Sequence, residues 1–184
     1  ITARVVHTDT FEELQAGEDG MLLIKGPNVM LGYLGDEVKT REVMHNEWYI
    51  TGDIAMIDDD GFITIKDRLS RFSKIGGEMV PHIKIEEEIH ERLGVSNEQI
   101  CAVTSAPDER KGESLAVLYT GDIDLEKLCR EMSNSKLPKL WLPKQGAYHQ
   151  VEEIPVLGSG KLDLKRIKAM ASTLTQRRGE RRGL

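Results

Sequence analysis

The spacing of hydrophobic residues divides the chain near residue 70 into a strand-rich part and a part that mixes strands with helices. In the first part, the apolar run at residues 20–26 is bounded by glycines, as expected of a short buried strand. Two apolar runs within residues 54–66 are joined by acidic residues and Gly61, which is typical of a β-hairpin. With a short helix expected at residues 37–44, this part predicts a small β-rich subdomain.

Helical periodicity is clearest in the second part, at residues 81–94, where apolar residues recur every four positions from Ile85 to Leu93. Pro81 is suited to the first position of this helix and Gly94 to its end. The other predicted elements are strands at residues 99–106, 113–121 and 146–154 and helices at residues 124–136 and 162–174. The whole pattern predicts an α+β fold: a small β-rich subdomain followed by a compact α/β domain of a few strands and three helices.

Composition and charge narrow the class of protein. The chain has 184 residues and a net charge of -6, which argues against a nucleic-acid partner. The basic segment at residues 176–184 is expected to be a disordered tail, and nucleotide or nucleic-acid binding through this tail is the alternative. The chain opens with Ile1 and strand-like residues, so we expect it to be a piece of a longer protein.

The positions of the cysteines and histidines match no motif for a metal site or a disulfide framework. Cys101 and Cys129 form no CxxC motif, and the five histidines are scattered along the chain. Free thiols in a reducing compartment are therefore predicted, and no metal-binding residues are assigned.

The segment PVLGSGKLD, residues 155–163, places Lys161 in a glycine-rich turn before a predicted helix. It is not a P-loop, because Pro155 stands where the first glycine should be and Leu162 replaces the serine or threonine. The lysine is either a solvated side chain in a plain turn or a mobile cation that reaches a phosphate or carboxylate oxygen.

Two other motifs could contact a ligand. Asp53 follows a threonine and a glycine at the start of a strand, where a carboxylate can accept hydrogen bonds from two neighbouring hydroxyls or merely shape a turn. The stretch at residues 67–89 contains Arg68, Lys74 and the pair Gly76–Gly77. The glycine pair either lets the backbone approach a thin ligand or forms a simple turn.

Taken together, these motifs make about residues 16–172 similar to a known protein family. In order, the chain contains AGEDGMLLIKGPNVMLGYLGD, WYITGDIAMIDDDGFITIKDRLSRFSKIGGEMV and PVLGSGKLD. This series resembles the C-terminal portion of the adenylate-forming superfamily of acyl-CoA synthetases, peptide-synthetase adenylation domains and luciferases. Within it, RFSKIGGEMV and PVLGSGKLD are most similar to the acyl-acyl-carrier-protein synthetase half of bifunctional 2-acylglycerophosphoethanolamine acyltransferases (the Aas type).

The resemblance implies a two-step, ATP- and Mg²⁺-dependent reaction in which a carboxylic acid forms an acyl-adenylate and a thiol then displaces AMP. Residues 1–69 would be the last β-subdomain of the large adenylation domain, and residues 70–175 a lid that rotates between the steps. By the same resemblance, Asp53 and Arg68 would contact the ribose, and Lys161 would contact the carboxylate and phosphate during adenylation.

For the second step, the resemblance implies that Gly76 and Gly77 line the tunnel for a phosphopantetheine arm and that Lys74 reaches the active site. The hinge would be Ser70, where many relatives have aspartate or lysine. The ATP-phosphate loop, the acyl pocket and the magnesium-binding glutamate would lie in an upstream domain, so the fragment alone is expected to bind no cofactor and to be inactive.

The implied substrate is a fatty acid, and the implied acceptor is acyl carrier protein, with CoA as the alternative. The basic residues Arg68, Arg71, Lys74 and Lys84 favour an acidic carrier protein, although a solvated charged face explains them equally well. A non-catalytic interaction module of the same fold is a further alternative. The resemblance implies a place on the cytoplasmic face, with the full-length protein attached to the inner membrane.

Overall fold

The computed structural model describes residues 1–96, 98–108 and 112–182. Internal contacts divide the chain into two compact units, Ile1–Ser70 and Arg71–Leu184. The division follows Ser70, whereas the sequence pattern places the boundary before it. The change in hydrophobic periodicity therefore coincides, within one residue, with a change in the set of residues that pack together.

An antiparallel sheet forms the first unit. Its elements are β1 (Thr2–Val6), β2 (Asp19–Lys25), α1 (Glu37–Val43), β3 (Met44–His45), β4 (Trp48–Ile57) and β5 (Ile63–Arg68). The strands pair in the order β1-β2-β4-β3, and β5 also pairs with β4. Residues 20–23 of β2 are all buried although successive side chains point to opposite faces of the sheet, so both faces are covered here, and this explains the uninterrupted apolar run. The strand, the hairpin and the short helix predicted for this part are all present.

A second sheet and three α-helices form the rest of the described chain. The elements are β6 (Phe72–Ile75), β7 (Glu78–Pro81), α2 (His82–Leu93), β8 (Cys101–Asp108), β9 (Gly112–Tyr119), α3 (Leu125–Ser133), β10 (Tyr148–Gln150) and α4 (Leu164–Arg182). Strand β9 pairs with β8 along one edge. Its other edge pairs with β10 in parallel and, within the described residues, with β6 at one residue pair, Ile75 and Gly112.

Helices cover both faces of this second sheet. Alternate residues of β8 and β9, such as Val103 and Val117, pack with α2 and α3 in the larger core cluster. The opposite face presents small residues such as Ala102 and Ala116 to Ile167 and Ala171 of α4. The predicted α+β class is therefore confirmed, with one helix on one side of the sheet and two on the other.

The predicted helix ends are close to the observed ones. Gly94 ends α2 with a φ of 68°, the left-handed conformation that glycine adopts most easily. Pro81 lies one residue before the helix rather than at its first position. The Asp124 side chain accepts a hydrogen bond from the Lys127 amide at the start of α3, as an N-cap should. Strands β6 and β7 were not predicted, because each has four residues and only two glycines separate them.

The predicted disordered tail is wrong for residues 176–182, which continue helix α4. These positions are rich in glutamine, arginine and glutamate, all good helix formers, and they extend a helix that is already packed on the sheet. The Arg178 guanidinium donates from Nη1 to the carbonyl of Gly146 at 3.0 Å, which holds this part of the helix against the chain before β10. Residues 183 and 184 lie outside the described part.

The cysteines are free, as predicted, with Cys101 buried and Cys129 half-buried. Burial raises the pKa of both thiols. Within the described residues, no helix has both the length and the apolar character needed to cross a membrane.

Candidate functional site

Asp53 and Arg68 are brought together by strand pairing in the first unit. They lie opposite each other on β4 and β5, and Arg68 Nε is 3.1 Å from Asp53 Oδ1. Arg68 Nη1 also donates to the Thr51 carbonyl at 3.0 Å. Gly52, between Thr51 and Asp53, has a φ of 74°, a backbone conformation that would be strained in a residue with a side chain.

Thr51, which the motif analysis did not single out, orients this turn. Its hydroxyl donates to the Leu22 carbonyl at 2.9 Å and accepts from the Asp53 amide at 3.0 Å. The Asp53 side chain keeps 23% of its surface exposed. Its carboxylate makes no further hydrogen bond within the described residues, so its oxygens can accept from two adjacent hydroxyls, as a ribose presents them.

Ser70 lies in a 3₁₀ turn, Leu69–Arg71, at the division between the two units. A hinge role for Ser70 stays a prediction, and the position of the turn is compatible with it.

Lys74, Gly76 and Gly77 lie together on the β6–β7 hairpin of the second unit. Ile75 and Glu78 pair across the turn, so the two glycines form the entire loop. Their φ values are 59° and 91°, as a type I′ turn requires. A Cβ added to either glycine would meet no atom within 4 Å, so the outer surface of this turn is open.

Lys161 lies on a separate turn of the second unit that is closed by backbone hydrogen bonds. The Leu157 amide donates to the Lys161 carbonyl at 2.7 Å, and the Gly160 amide donates to the Leu157 carbonyl at 2.8 Å. Asp163 follows the turn and caps α4 by accepting from the Arg166 amide at 3.0 Å. The Lys161 side chain is exposed, and its ammonium has no ion-pair partner in the described part of the chain.

Arg71 is not part of a basic surface, contrary to the expectation from the sequence. Its guanidinium donates to both carboxylate oxygens of Glu86 on α2, at 3.1 and 2.7 Å, and the two side chains are 10% and 6% exposed. Glu86 Oε1 also accepts from the Val103 amide at 2.7 Å. Lys84 is exposed, but its Nζ lies 2.8 Å from Glu87 Oε2. The basic residues near the hinge therefore give less support to an acidic docking partner than their sequence spacing suggests.

A buried histidine follows the hairpin and links it to α2. His82 Nε2 is 2.6 Å from the Ser73 hydroxyl of β6, and both residues are buried. Burial, with a contribution from Arg71, lowers the pKa of His82 to about 3, so the ring is neutral at physiological pH. No local signal in the sequence distinguishes this histidine from an exposed one.

Comparisons with known proteins show which larger proteins contain such a segment. No family model matches the chain. It is similar to a feruloyl-CoA synthase of an Amycolatopsis species, with 35% identity over 155 residues that cover 82% of this chain and 30% of the relative. It is also similar to a 2-succinylbenzoate–CoA ligase of Bacillus licheniformis, with 34% identity over 152 residues, 82% of this chain and 30% of the relative. The chain thus spans about 30% of the length of these relatives.

The fold comparison agrees with the sequence comparison. The chain is similar to the crystal structure of ATP-bound MatB from Rhodopseudomonas palustris, with a TM-score of 0.74 and 27% identity, over 95% of this chain and 34% of that one. The chain therefore corresponds, in sequence and in fold, to the C-terminal part of the AMP-binding acyl- and aryl-CoA ligase family.

Proposed function

We propose that this chain is the C-terminal part of an ATP-dependent, AMP-forming ligase that joins a carboxylic acid to a thiol. The observation that carries the proposal is the Lys161 turn: an exposed ammonium, without an ion-pair partner in the described residues, at the end of a hydrogen-bonded loop. Such a cation can approach an anionic substrate without first breaking a salt bridge. The similarity to named CoA ligases supports the same proposal.

In the first step, a carboxylate oxygen of the acid bonds to the α-phosphorus of ATP, and pyrophosphate leaves. Negative charge grows on the phosphate oxygens, and the Lys161 ammonium would stabilise it, as positioned cations do in sites that exclude water. Asp53 would accept the ribose hydroxyls, while Arg68 keeps its carboxylate oriented through the 3.1 Å ion pair.

In the second step, a thiol sulfur bonds to the acyl carbon, AMP leaves with the electrons of the broken bond, and the thiol proton passes to solvent. Gly76 and Gly77 would line the path of the phosphopantetheine arm, because their turn offers backbone without side chains. Lys74 would enter the site on the same hairpin, and Ser70 would be the hinge that lets the second unit move between the two steps.

The proposal also names the acid that is activated and the thiol that accepts it. The motifs RFSKIGGEMV and PVLGSGKLD support a fatty acid as substrate and acyl carrier protein as acceptor, as in Aas-type enzymes. Location at the cytoplasmic face of the inner membrane rests on the same resemblance. ATP and Mg²⁺ would be held mainly by the upstream adenylation domain.

CoA is the second candidate acceptor, and two observations favour it. The relatives described above are named as CoA ligases. Arg71 is buried against Glu86 and Lys84 is paired with Glu87, which removes two cations from the surface expected to receive an acidic carrier protein. Offering CoA and phosphopantetheinylated acyl carrier protein to the complete ligase at equal concentration, and measuring thioester formation, separates the two acceptors.

The proposal is tested by replacing Lys161 with alanine in the complete ligase, which joins this chain to its adenylation domain. Loss of the ammonium should slow pyrophosphate release from ATP and a fatty acid by about 10²–10³-fold. The matched control is Lys165→Ala, since Lys165 is an exposed lysine at the start of α4. Equal pyrophosphate release by the wild type and the Lys161 variant would instead favour a non-catalytic module.

The isolated chain provides a further test, because the proposed upstream domain holds most of the nucleotide and acyl contacts. We expect no pyrophosphate release by residues 1–184 alone. Robust turnover by this chain would contradict the assignment of the acyl pocket to another domain.

A further inference from the structure

Among the described residues, the main-chain ladder between β6 and β9 contains one residue pair. Ile75 and Gly112 are partners, so the next pair in antiparallel register would be Lys74 and Glu113. Instead, the Lys74 amide donates to Oε2 of the Glu113 side chain at 2.9 Å. A carboxylate thus replaces the backbone carbonyl as the acceptor for the amide of Lys74, two residues before Gly76.

Glu113 itself is held by groups from two other elements. Its Oε1 accepts from the Ser105 hydroxyl of β8 at 2.8 Å and lies 3.1 Å from Lys168 Nζ of α4. Partial burial tends to raise the pKa of this carboxyl, but the hydrogen bonds from Ser105, Lys74 and Lys168 outweigh it and lower the pKa. The carboxylate therefore connects the hairpin to the sheet and to α4 at the same time.

We propose that Glu113 is a positioning residue that fixes the hairpin carrying Lys74, Gly76 and Gly77 for the thioester-forming step. This inference rests on the proposed function, since it needs the hairpin to enter the site in the second step. Within the described residues, Glu113 adds a side-chain link between β6 and β9 to the main-chain pair at Ile75, so this side chain helps to set the angle at which the hairpin leaves the sheet. Small misplacements of reacting or contacting groups reduce rates by up to about 10²-fold.

The first test measures the contact in the 184-residue chain by amide hydrogen exchange at Lys74. Glu113→Ala removes the acceptor, so exchange at the Lys74 amide should become at least ten-fold faster. Glu113→Gln keeps an acceptor oxygen and should preserve most of the protection. The control is Glu126→Ala, an exposed glutamate on α3. Unchanged exchange at Lys74 in the alanine variant would show that the contact does not hold the hairpin.

The second test separates the two half-reactions in the complete ligase. Glu113→Ala should slow thioester formation from added acyl-adenylate and CoA by about 10–100-fold, while pyrophosphate release in the first step stays within about three-fold of the wild type. Glu113→Gln should restore most of the thioester rate. An equal loss in both steps would indicate a merely structural residue, and an unchanged thioester rate would likewise overturn the inference.

Failure of the proposed function gives a different pattern. A wild-type ligase that releases no pyrophosphate and consumes no acyl-adenylate would refute the function, and with it the catalytic role of the hairpin. The exchange measurement at Lys74 would still decide, independently of activity, whether Glu113 holds the hairpin.

Discussion

Replacement of Glu86 by alanine should destabilise the second unit strongly, because three hydrogen bonds end on this one carboxylate. Two come from the Arg71 guanidinium and one from the Val103 amide. The substitution removes the Glu86 carboxylate from a cation that is only 10% exposed, and it leaves a buried backbone donor without this acceptor.

The magnitude follows from the burial of the pair. Removing one partner of a buried ion pair costs about 3–5 kcal/mol, since the remaining charge stays in a poorly hydrated place. Arg71 and Glu86 also line an open groove beside α2, so water reaches the cation once the carboxylate is removed. We therefore expect the lower end, about 3 kcal/mol. With a urea m value of about 1.5 kcal/mol/M, the midpoint of unfolding would fall by about 2 M.

The assay can report on the second unit alone, because the chain has two tryptophans and the units contain one each. Trp48 lies in β4, and Trp141 packs against the core of the second unit. In a Trp48→Phe background, the fluorescence of Trp141 during urea unfolding follows that unit. Glu87→Ala is the matched control, since Glu87 makes an exposed pair with Lys84 worth at most about 1 kcal/mol.

The result that would refute this reasoning is equally specific. If Glu86→Ala moves the midpoint no further than Glu87→Ala does, the buried pair contributes nothing beyond a surface ion pair. The double variant Arg71→Met/Glu86→Leu removes both charges, and it should recover much of the loss because no charge of this pair remains buried. A double variant as unstable as Glu86→Ala would show that lost packing, rather than an uncompensated charge, causes the effect.

Two further predictions concern the same unit. Between pH 6.5 and about 3 the folded chain keeps His82 neutral while the unfolded chain protonates it. As the pH is lowered through this range, the free energy of unfolding should therefore decrease by up to about 1.4 kcal/mol per pH unit. Urea titrations at several pH values should show this slope reduced in His82→Gln, and an identical slope would contradict the assignment. Gly77→Val should lower the free energy of unfolding by about 1–2 kcal/mol, because a φ of 91° is strained for a β-branched residue even though its Cβ has space. Gly77→Asn is the control, and equal unfolding midpoints for the two variants would contradict this account.

Much of the fold could be predicted because its signals are local. The apolar stripe from Ile85 to Leu93 and the glycine after it specify α2, and Asp124 specifies the start of α3. The motifs also located Asp53 and Arg68, which strand pairing then places side by side. Hydrophobic spacing and capping chemistry act over a few residues, so they can be recognised without knowing what the element packs against.

Contacts between distant residues were decided only by the tertiary structure. Arg71 counted as one of several cations in the sequence, but Glu86 on a later helix buries it as half of an ion pair. Glu113 showed no signal at all, because its role depends on the amide of Lys74 in β6 and on a lysine of α4, Lys168. The sequence by itself determined most of the helices and longer strands and the motifs that they carry, but not the short strands β6 and β7. Which charged side chains are buried, and which backbone groups they bind, depends on packing between elements, and no local pattern encodes that packing.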